Sequence, residues 1–472
     1  MSQQTSKPNV VIFFTDQQRW DASSLHGNPL DLMPNFDRIA QRGTHLSNAI
    51  TCAPVCGPAR CCLQTGTHIT TNGGVANGCG IPEHLPTIAQ CFNDAGYHTG
   101  YIGKWHLAGE HKNTVAGERG PVPEVARGGW QEWLAVEALE FSVHEYHTVL
   151  YDNDNQAVRL PGYRVDAMTD AGIRFIDAHQ DEPFCLMLSY IEPHHQNDKD
   201  DYPPPDGYRQ RYEGRWTPPD LAGLPSFRPN DHSGVGGSTQ HHLGGYWGMV
   251  KRLDEAFGRV LDALKSLDLD QNTIVLFTSD HACHFKTRNG EYKRSCHESS
   301  VHVPTALYGG PFMGGGRIEH VTSLVDLPVT LLDACGLDVP EEMEGRSILP
   351  LTRGQKDDWP EEVLIHICDD KAGRAVRTQR WKYCVMSERT TRDIGADFAD
   401  ATYTEAYLYD LHHDPYELCN LIDQESHSEV RRVMRERMFK RMDEIGEPRP
   451  TIVEIEPRPS GQRIVREHEV HQ

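Results

Sequence analysis

The chain has 472 residues, 38% hydrophobic and 24% charged, with 46 lysines and arginines against 68 aspartates and glutamates. That length exceeds one ordinary core and predicts a large domain with a smaller one beside it, in a soluble globular protein without an apolar run of membrane-spanning length. The formal charge of −22 opposes general attraction to nucleic acid, anionic membranes and polyanions, so an anionic substrate would need a locally basic pocket.

The opening MSQQTSKPNVVIFF passes almost directly into a strand with no hydrophobic signal region. A cytoplasmic location is therefore expected, or a periplasmic or secreted one if a leader has been removed. Thirteen cysteines, irregularly spaced and including the adjacent Cys61 and Cys62, read as reduced thiols rather than a disulfide framework. Asn9 to Phe14 is a short apolar run rich in β-branched and aromatic residues, as in a buried parallel strand. It ends in Thr15-Asp16-Gln17, where ligand-binding groups of open α/β sheets commonly sit. Asp16 and Gln17 offer hard oxygens to a divalent cation, although a lone aspartate after a strand is more often a turn or helix cap.

A helical pattern follows in MPNFDRIAQR, stopped by Gly43, and a strand then delivers TCAPVCGPARCCLQTG, residues 51–66. Within it Pro58 fixes the backbone beyond Cys56, and Arg60 offers a planar cationic fork. Ala59 to Gly66 should begin a helix whose amino-terminal amides favour an anion. Pro86 to Gly96 is another helical pattern, and GYHTGYIGKWHL, residues 96–107, gives a strand ending in Lys104, Trp105 and His106. Residues 108–160 show no long period and are expected to be an irregular insertion on the substrate side. A helix over about Val165 to His179 leads to a strand from Phe184 to Tyr190, then Glu192-Pro193-His194-His195.

Residues 196–239, rich in Pro, Gly, Asp and Ser, predict a long loop. Helical spacing resumes from Tyr246, with Met249, Leu253, Phe257, Val260, Leu261 and Leu264 on one face. Thr273 to Thr278 is a further buried strand, ending in Ser279-Asp280-His281, and KTRNGEYKRSCHESSVHVP follows. Short strands are predicted over Val363 to Ile367, Ala375 to Thr378 and Trp381 to Met386, then a basic helix from Ser428. The Pro- and charge-rich tail from Glu447 is expected to extend over a neighbouring subunit of a homo-oligomer or to lie loose.

These stretches, in order over about residues 9–420, resemble the motifs of the formylglycine-dependent sulfatases of the alkaline phosphatase superfamily. The matches are Thr15-Asp16-Gln17, Cys56-Gly57-Pro58-Ala59-Arg60 with Thr65-Gly66, Gly103-Lys104-Trp105-His106, Pro193-His194, Ser279-Asp280-His281, and Lys293 with Glu298, Ser300 and Val303-Pro304. Cys52 also precedes a proline two residues on, but Cys56 stands at its arginine position. Ala59, Gln64 and Ala282 depart from the commoner residues without removing a reacting group.

The resemblance implies that a maturase oxidises Cys56 to an aldehyde, whose hydrate attacks a sulfate ester with one hydroxyl and expels sulfate with the other. It implies Asp16, Gln17, Asp280 and His281, with the modified Cys56, as ligands of one divalent cation. Ca²⁺ is expected because all but His281 are oxygen donors, with Mn²⁺ the alternative the histidine raises. Arg60 would hold the diol, Lys104 the sulfate oxygens, His106 the second hydroxyl, and Lys293 the leaving oxygen. His194, with His195 as its rival, would protonate the leaving group or bind substrate, and His297 is a further candidate for substrate contact.

The implied fold is α/β: a large mixed, mostly parallel sheet flanked by helices over residues 1–360, and a smaller C-terminal antiparallel sheet with a helix over 361–472. The implied activity is sulfuric ester hydrolysis on a sulfated carbohydrate or other small organic sulfate. Two alternatives stand beside it. One is the same nucleophile acting on phosphonate monoesters or phosphodiesters, as in formylglycine relatives with Asp-Gln at the first metal motif; the other is a non-catalytic protein with an unmodified Cys56.

Overall fold

A computed structural model describes residues 7–111, 120–140, 144–224, 239–394 and 400–470. The first apolar run forms the strand Asn9–Thr15, buried along its whole length. Side chains alternate across a strand, so Val11 and Phe13 enter one core while Val10, Ile12 and Phe14 enter the other. The first core is roofed by the helices Arg164–Ala178 and Thr239–Ser266, through Val165, Met168, Phe175, Leu253 and Phe257. The second is closed by the helices Cys56–Thr65, Ile88–Asp94 and Asp326–Ala334, through Leu63, Phe92 and Leu331.

Among the described residues ten strands make this sheet, in the order Gly316–Ile318, Thr44–Leu46, Thr305–Tyr308, Thr273–Ser279, Asn9–Thr15, Phe184–Ser189, His98–Lys104, Glu132–Val136, Thr148–Tyr151, Ala157–Leu160. The five from Thr273–Ser279 to Glu132–Val136 are mutually parallel. Their carboxyl ends therefore share one edge, and the register that pairs Thr15 with Ser279 and Gly103 with Ser189 brings Asp16, Asp280 and Lys104 to it.

The described part of residues 108–160 is not the irregular insertion expected, because three of its segments are strands that extend the sheet; residues 112–119 and 141–143 lie outside the described residues. Those strands have only four or five residues each, and the outermost, Ala157–Leu160, is largely exposed, so no apolar period builds up. The expected loop over 196–239 carries the short helices Tyr208–Tyr212 and Pro219–Gly223, and its remainder over 225–238 lies outside the described residues. All thirteen cysteines are unpaired.

The smaller sheet runs antiparallel through Glu362–Ile367, Lys371–Thr378, Trp381–Thr390 and Thr402–Asp410. The helix Ser428–Glu444 covers one face with Val430, Met434 and Met438, and the other face packs Val363, Ile365 and Ile367 on Ile50, Val301 and Val321 of the larger sheet's side. The tail is not loose within the chain: Thr451–Val453 returns as a fifth strand, parallel to Thr402–Asp410.

Glu447 fixes that return. Its carboxylate accepts from Arg374 Nε at 2.5 Å, His366 Nε2 at 3.0 Å and the Thr70 hydroxyl at 3.2 Å, tying the tail to the smaller sheet and to the short helix Ile69–Asn72. Burial disfavours the charge, but Arg374 and His366 hold its pKa down to about 2 from 4.5. A lowered folded pKa means stabilisation that is complete above the unfolded value and lost as pH falls from 4.5 through about 2, roughly 3 kcal/mol in all. Glu447→Gln is thus expected to lower unfolding stability by about 3 kcal/mol at pH 7, with Arg374 left uncompensated. Urea titrations of both chains at pH 7 and pH 3 check this, since the gap should narrow at the lower pH.

Candidate active site

Cys56 is the first residue of the helix Cys56–Thr65, which starts three residues earlier than expected because Pro58 fits a first helical turn. Gly66 ends the helix in the left-handed conformation at φ +66°. The thiol therefore sits at a helix amino terminus, where unpaired amides favour an anion. Around it converge the carboxyl ends of four parallel strands.

Asp16 Oδ1 lies 3.6 Å from Cys56 Sγ, His281 Nε2 3.3 Å from it, and Lys293 Nζ 2.7 Å from it. Lys293 Nζ also donates to His194 Nε2 at 3.1 Å. Arg60 reaches from the same helix as Cys56 to Asp16 Oδ2 at 2.9 Å and Asp280 Oδ2 at 3.3 Å, anchored by Ser189 Oγ at 2.8 Å and the Lys104 carbonyl at 3.0 Å. Lys104 Nζ bridges Asp16 Oδ2, at 2.7 Å, and Glu140 Oε1. Asp16, Cys56, Lys104, Asp280 and His281 are all at most 1% exposed.

Three cationic and three carboxylate side chains are thus buried together in an acidic protein. Burial opposes ionisation of the Cys56 thiol, but Lys104, Lys293 and His281, with His106 beside them, hold its pKa well below the ordinary 9. Burial and the thiol work against the Asp16 charge, yet Lys104, His194 and Arg60 keep it well below the usual carboxylate range. Asp280 goes the other way, pushed up to about 6 by burial and by Asp16.

The ligand atoms of Asp16, Cys56, Asp280 and His281 lie within 4.8 Å of one another. His281 Nδ1 faces the Ala282 carbonyl at 2.9 Å, which only accepts, so the neutral ring carries its proton there and presents a bare Nε2 to the cluster. Asp280 Oδ2 is buried without a hydrogen bond. Two crowded carboxylates, one of them resisting ionisation, and an imidazole lone pair fit a divalent cation, whose charge would return Asp280 to the anion.

The structure brings together Asp16, Cys56, Arg60, Lys104, His194, Asp280, His281 and Lys293, with His106 adjoining. Gln17 adopts φ +67° and sends its backbone N–H to Asp280 Oδ1 at 3.1 Å, but its side-chain Oε1 is taken by the His195 N–H at 3.0 Å. Gln17 thus lies against Asp280 through its backbone and against His195 through its side chain. His194 and His195 are separated clearly: His194 faces Lys293, whereas His195 turns to Asp200 at 2.9 Å and stacks on Tyr292.

His297, expected to contact substrate, is instead buried against the smaller sheet, with Nε2 3.1 Å from the Tyr409 hydroxyl and its ring against Tyr407. It stands at the amino-terminal cap position of the short helix Glu298–Val301. Glu140 was missed. It follows the unrecognised strand Glu132–Val136, and a glutamate in an apparent loop carries no signal of burial beside a lysine.

This fold, with its metal-competent cluster at the carboxyl edge of the parallel strands, is that of the alkaline phosphatase-like hydrolases. Residues 8–337 match the family model described as Sulfatase, and residues 290–444 match N-sulphoglucosamine sulphohydrolase, C-terminal, so the chain belongs to the sulfatase family and is a sulfuric ester hydrolase. The ulvan-active sulfatase of Formosa agariphila is 27% identical over 457 residues, covering 94% of this chain and 82% of that protein. Among solved structures, yidJ from Bacteroides fragilis superposes with a TM-score of 0.79 at 22% identity, covering 95% of this chain and 98% of that one. BT4656, solved in complex with its substrate D-glucosamine-2-N,6-O-disulfate, gives 0.73 at 21% identity, covering 93% and 98%.

Proposed function

We propose that the chain removes sulfate from a sulfated carbohydrate, with a formylglycine made from Cys56 as nucleophile and one divalent cation held by Asp16, Asp280 and His281. The observation that carries this reading is the convergence of Lys293, His281 and Asp16 on the Cys56 side chain at 2.7, 3.3 and 3.6 Å. Sulfated-sugar relatives support the substrate class. A formylglycine hydrate supplies two hydroxyls on one carbon, one to attack and one to release sulfate. The cation, Ca²⁺ on this donor set or else Mn²⁺, supplies positive charge against the sulfuryl oxygens.

The chain's own residues do the rest. Lys104 and Lys293 furnish the local positive field that the net charge of −22 denies to the protein at large. Arg60 fixes Asp16 and Asp280 against the reacting side chain. His194, its Nδ1–H held by the His195 carbonyl at 2.6 Å, accepts from Lys293 at Nε2, and the pair passes a proton to the leaving oxygen. His106, buried with neither ring nitrogen hydrogen-bonded, takes the proton of the second hydroxyl.

The test is the mass of the tryptic peptide Gly43 to Arg60 from protein co-expressed with a formylglycine-generating maturase. Fragmentation should place an aldehyde at Cys56 and an intact thiol at Cys52; an unmodified Cys56 beside a working control would overturn the nucleophile. Chelation with EDTA is expected to lower kcat at least about 100-fold, the several kcal/mol a polarising cation supplies. Fuller recovery in Ca²⁺ than in Mn²⁺ is the expected outcome. Comparing a sulfated sugar with a phosphonate monoester and a phosphodiester tests the substrate, and a preference for phosphorus would replace this reading by its alternative.

A further inference from the structure

At the amino ends of the same parallel strands lies a second cluster that the reaction does not use. His98 opens the strand whose other end carries Lys104, Glu132 opens its neighbour, and His179 caps the helix Arg164–Ala178. A seven-residue strand puts this cluster about 20 Å from the Cys56 edge. His179 Nε2 lies 3.0 Å and His98 Nε2 3.4 Å from the same Glu132 Oε2. The three donor atoms fall within 4.8 Å of one another.

From this geometry we infer a binding site for a zinc-class divalent ion, formed by His98, Glu132 and His179 and backed by Glu182. His179 Nδ1 lies 2.8 Å from Glu182 Oε1, and an ionised carboxylate only accepts, so the proton of the neutral ring sits on Nδ1. Its Nε2 lone pair then faces a second carboxylate at hydrogen-bonding distance, an arrangement that needs a cation or proton between them. The carboxylate–imidazole–ligand order is the one that orients histidines around a metal.

His98 adds an independent observation. Its Nε2 is shielded from solvent and makes no hydrogen bond. The two imidazoles stack with centroids 3.8 Å apart and planes 17° apart, where two imidazolium charges would repel. At least one of the two rings is therefore neutral and has a lone pair on one of its nitrogens. The rings must splay for both lone pairs to meet one ion, and the partial exposure of His98 and Glu132, at 29% and 48%, leaves room for that and for water ligands. The helix carboxyl terminus at His179 adds a favourable dipole for a cation. Two imidazoles and one carboxylate select zinc, nickel or copper over calcium.

The test is calorimetric titration of ZnCl₂ into the full chain in excess Ca²⁺. One zinc is expected beyond those retained by the His98→Ala/His179→Ala chain, and Glu182→Gln should weaken that zinc about 10- to 100-fold. Sulfatase activity in Ca²⁺ reports that the variants are folded. Equal zinc stoichiometry and affinity in wild type and double variant would overturn the site. Should the double variant fail to fold, peptide mapping of diethylpyrocarbonate-treated wild type decides: zinc protects His98 and His179 if the site exists, and equal modification with and without zinc refutes it.

Discussion

Cys56→Ala is expected to lower kcat/KM for a sulfate ester by at least about 10⁴-fold, the scale on which enzymes with covalent intermediates lose activity with their nucleophile. Nothing else in the pocket can replace it. The groups nearest that position include Asp16 and His281, proposed to hold the cation, and Lys293, His194 and His106, proposed to carry charge and protons rather than to attack. What survives would be field and binding alone. Cys52→Ala is the matched control, because Cys52 also precedes a proline by two residues yet points away from the cluster, among Cys62 and His68. That variant is expected to stay within about tenfold of the parent, the loss a small buried truncation away from the chemistry can cause. Steady-state assays of both, with near-UV circular dichroism as a check on folding, decide the matter; comparable activity in Cys56→Ala would put the nucleophile elsewhere.

The parts of this site that were legible in the sequence are those where one residue's position is set by a strong local pattern. Asp16 and Asp280 each follow a buried, largely apolar strand and Lys104 ends another, and the carboxyl ends of neighbouring parallel strands share one edge of a sheet. What was not legible depends on side-chain direction or on tertiary pairing. Glu140 follows a five-residue strand recognisable only by its partner Gly100–Lys104. His194 and His195 are adjacent in sequence, and only the backbone turn that points one at Lys293 and the other at Asp200 separates them. His297 is four residues beyond Lys293, yet the short helix it caps carries it to Tyr407 and Tyr409. The tail reads as loose because its charges are many; its docking rests on the strand Thr451–Val453, on Val465 and Val470 in the core and on Glu447, a glutamate that composition cannot distinguish from its neighbours.

Asp16→Asn should have the second-largest effect, because one carboxylate serves two tasks. Its Oδ1 faces the thiol and His281, both at 3.6 Å, while its Oδ2 is bonded to Lys104 at 2.7 Å and Arg60 at 2.9 Å. Asparagine keeps the shape and removes the charge. Cation affinity is expected to fall at least about tenfold, and kcat/KM by about 10³-fold, the scale of losing an electrostatic group aimed at the reacting centre. Glu140 still pairs with Lys104 and Asp280 with Arg60, so the loss of folding stability should stay at or below the roughly 3 to 5 kcal/mol of breaking a buried pair. The two tasks separate on titration with Ca²⁺. If Asp16 were a ligand only, saturating cation would restore kcat; because it also sets Arg60 and Lys104, kcat is expected to remain depressed at saturation while the apparent cation affinity is merely weaker. Full recovery at high Ca²⁺ would instead mean that Glu140 and Asp280 alone hold the two cationic side chains in place.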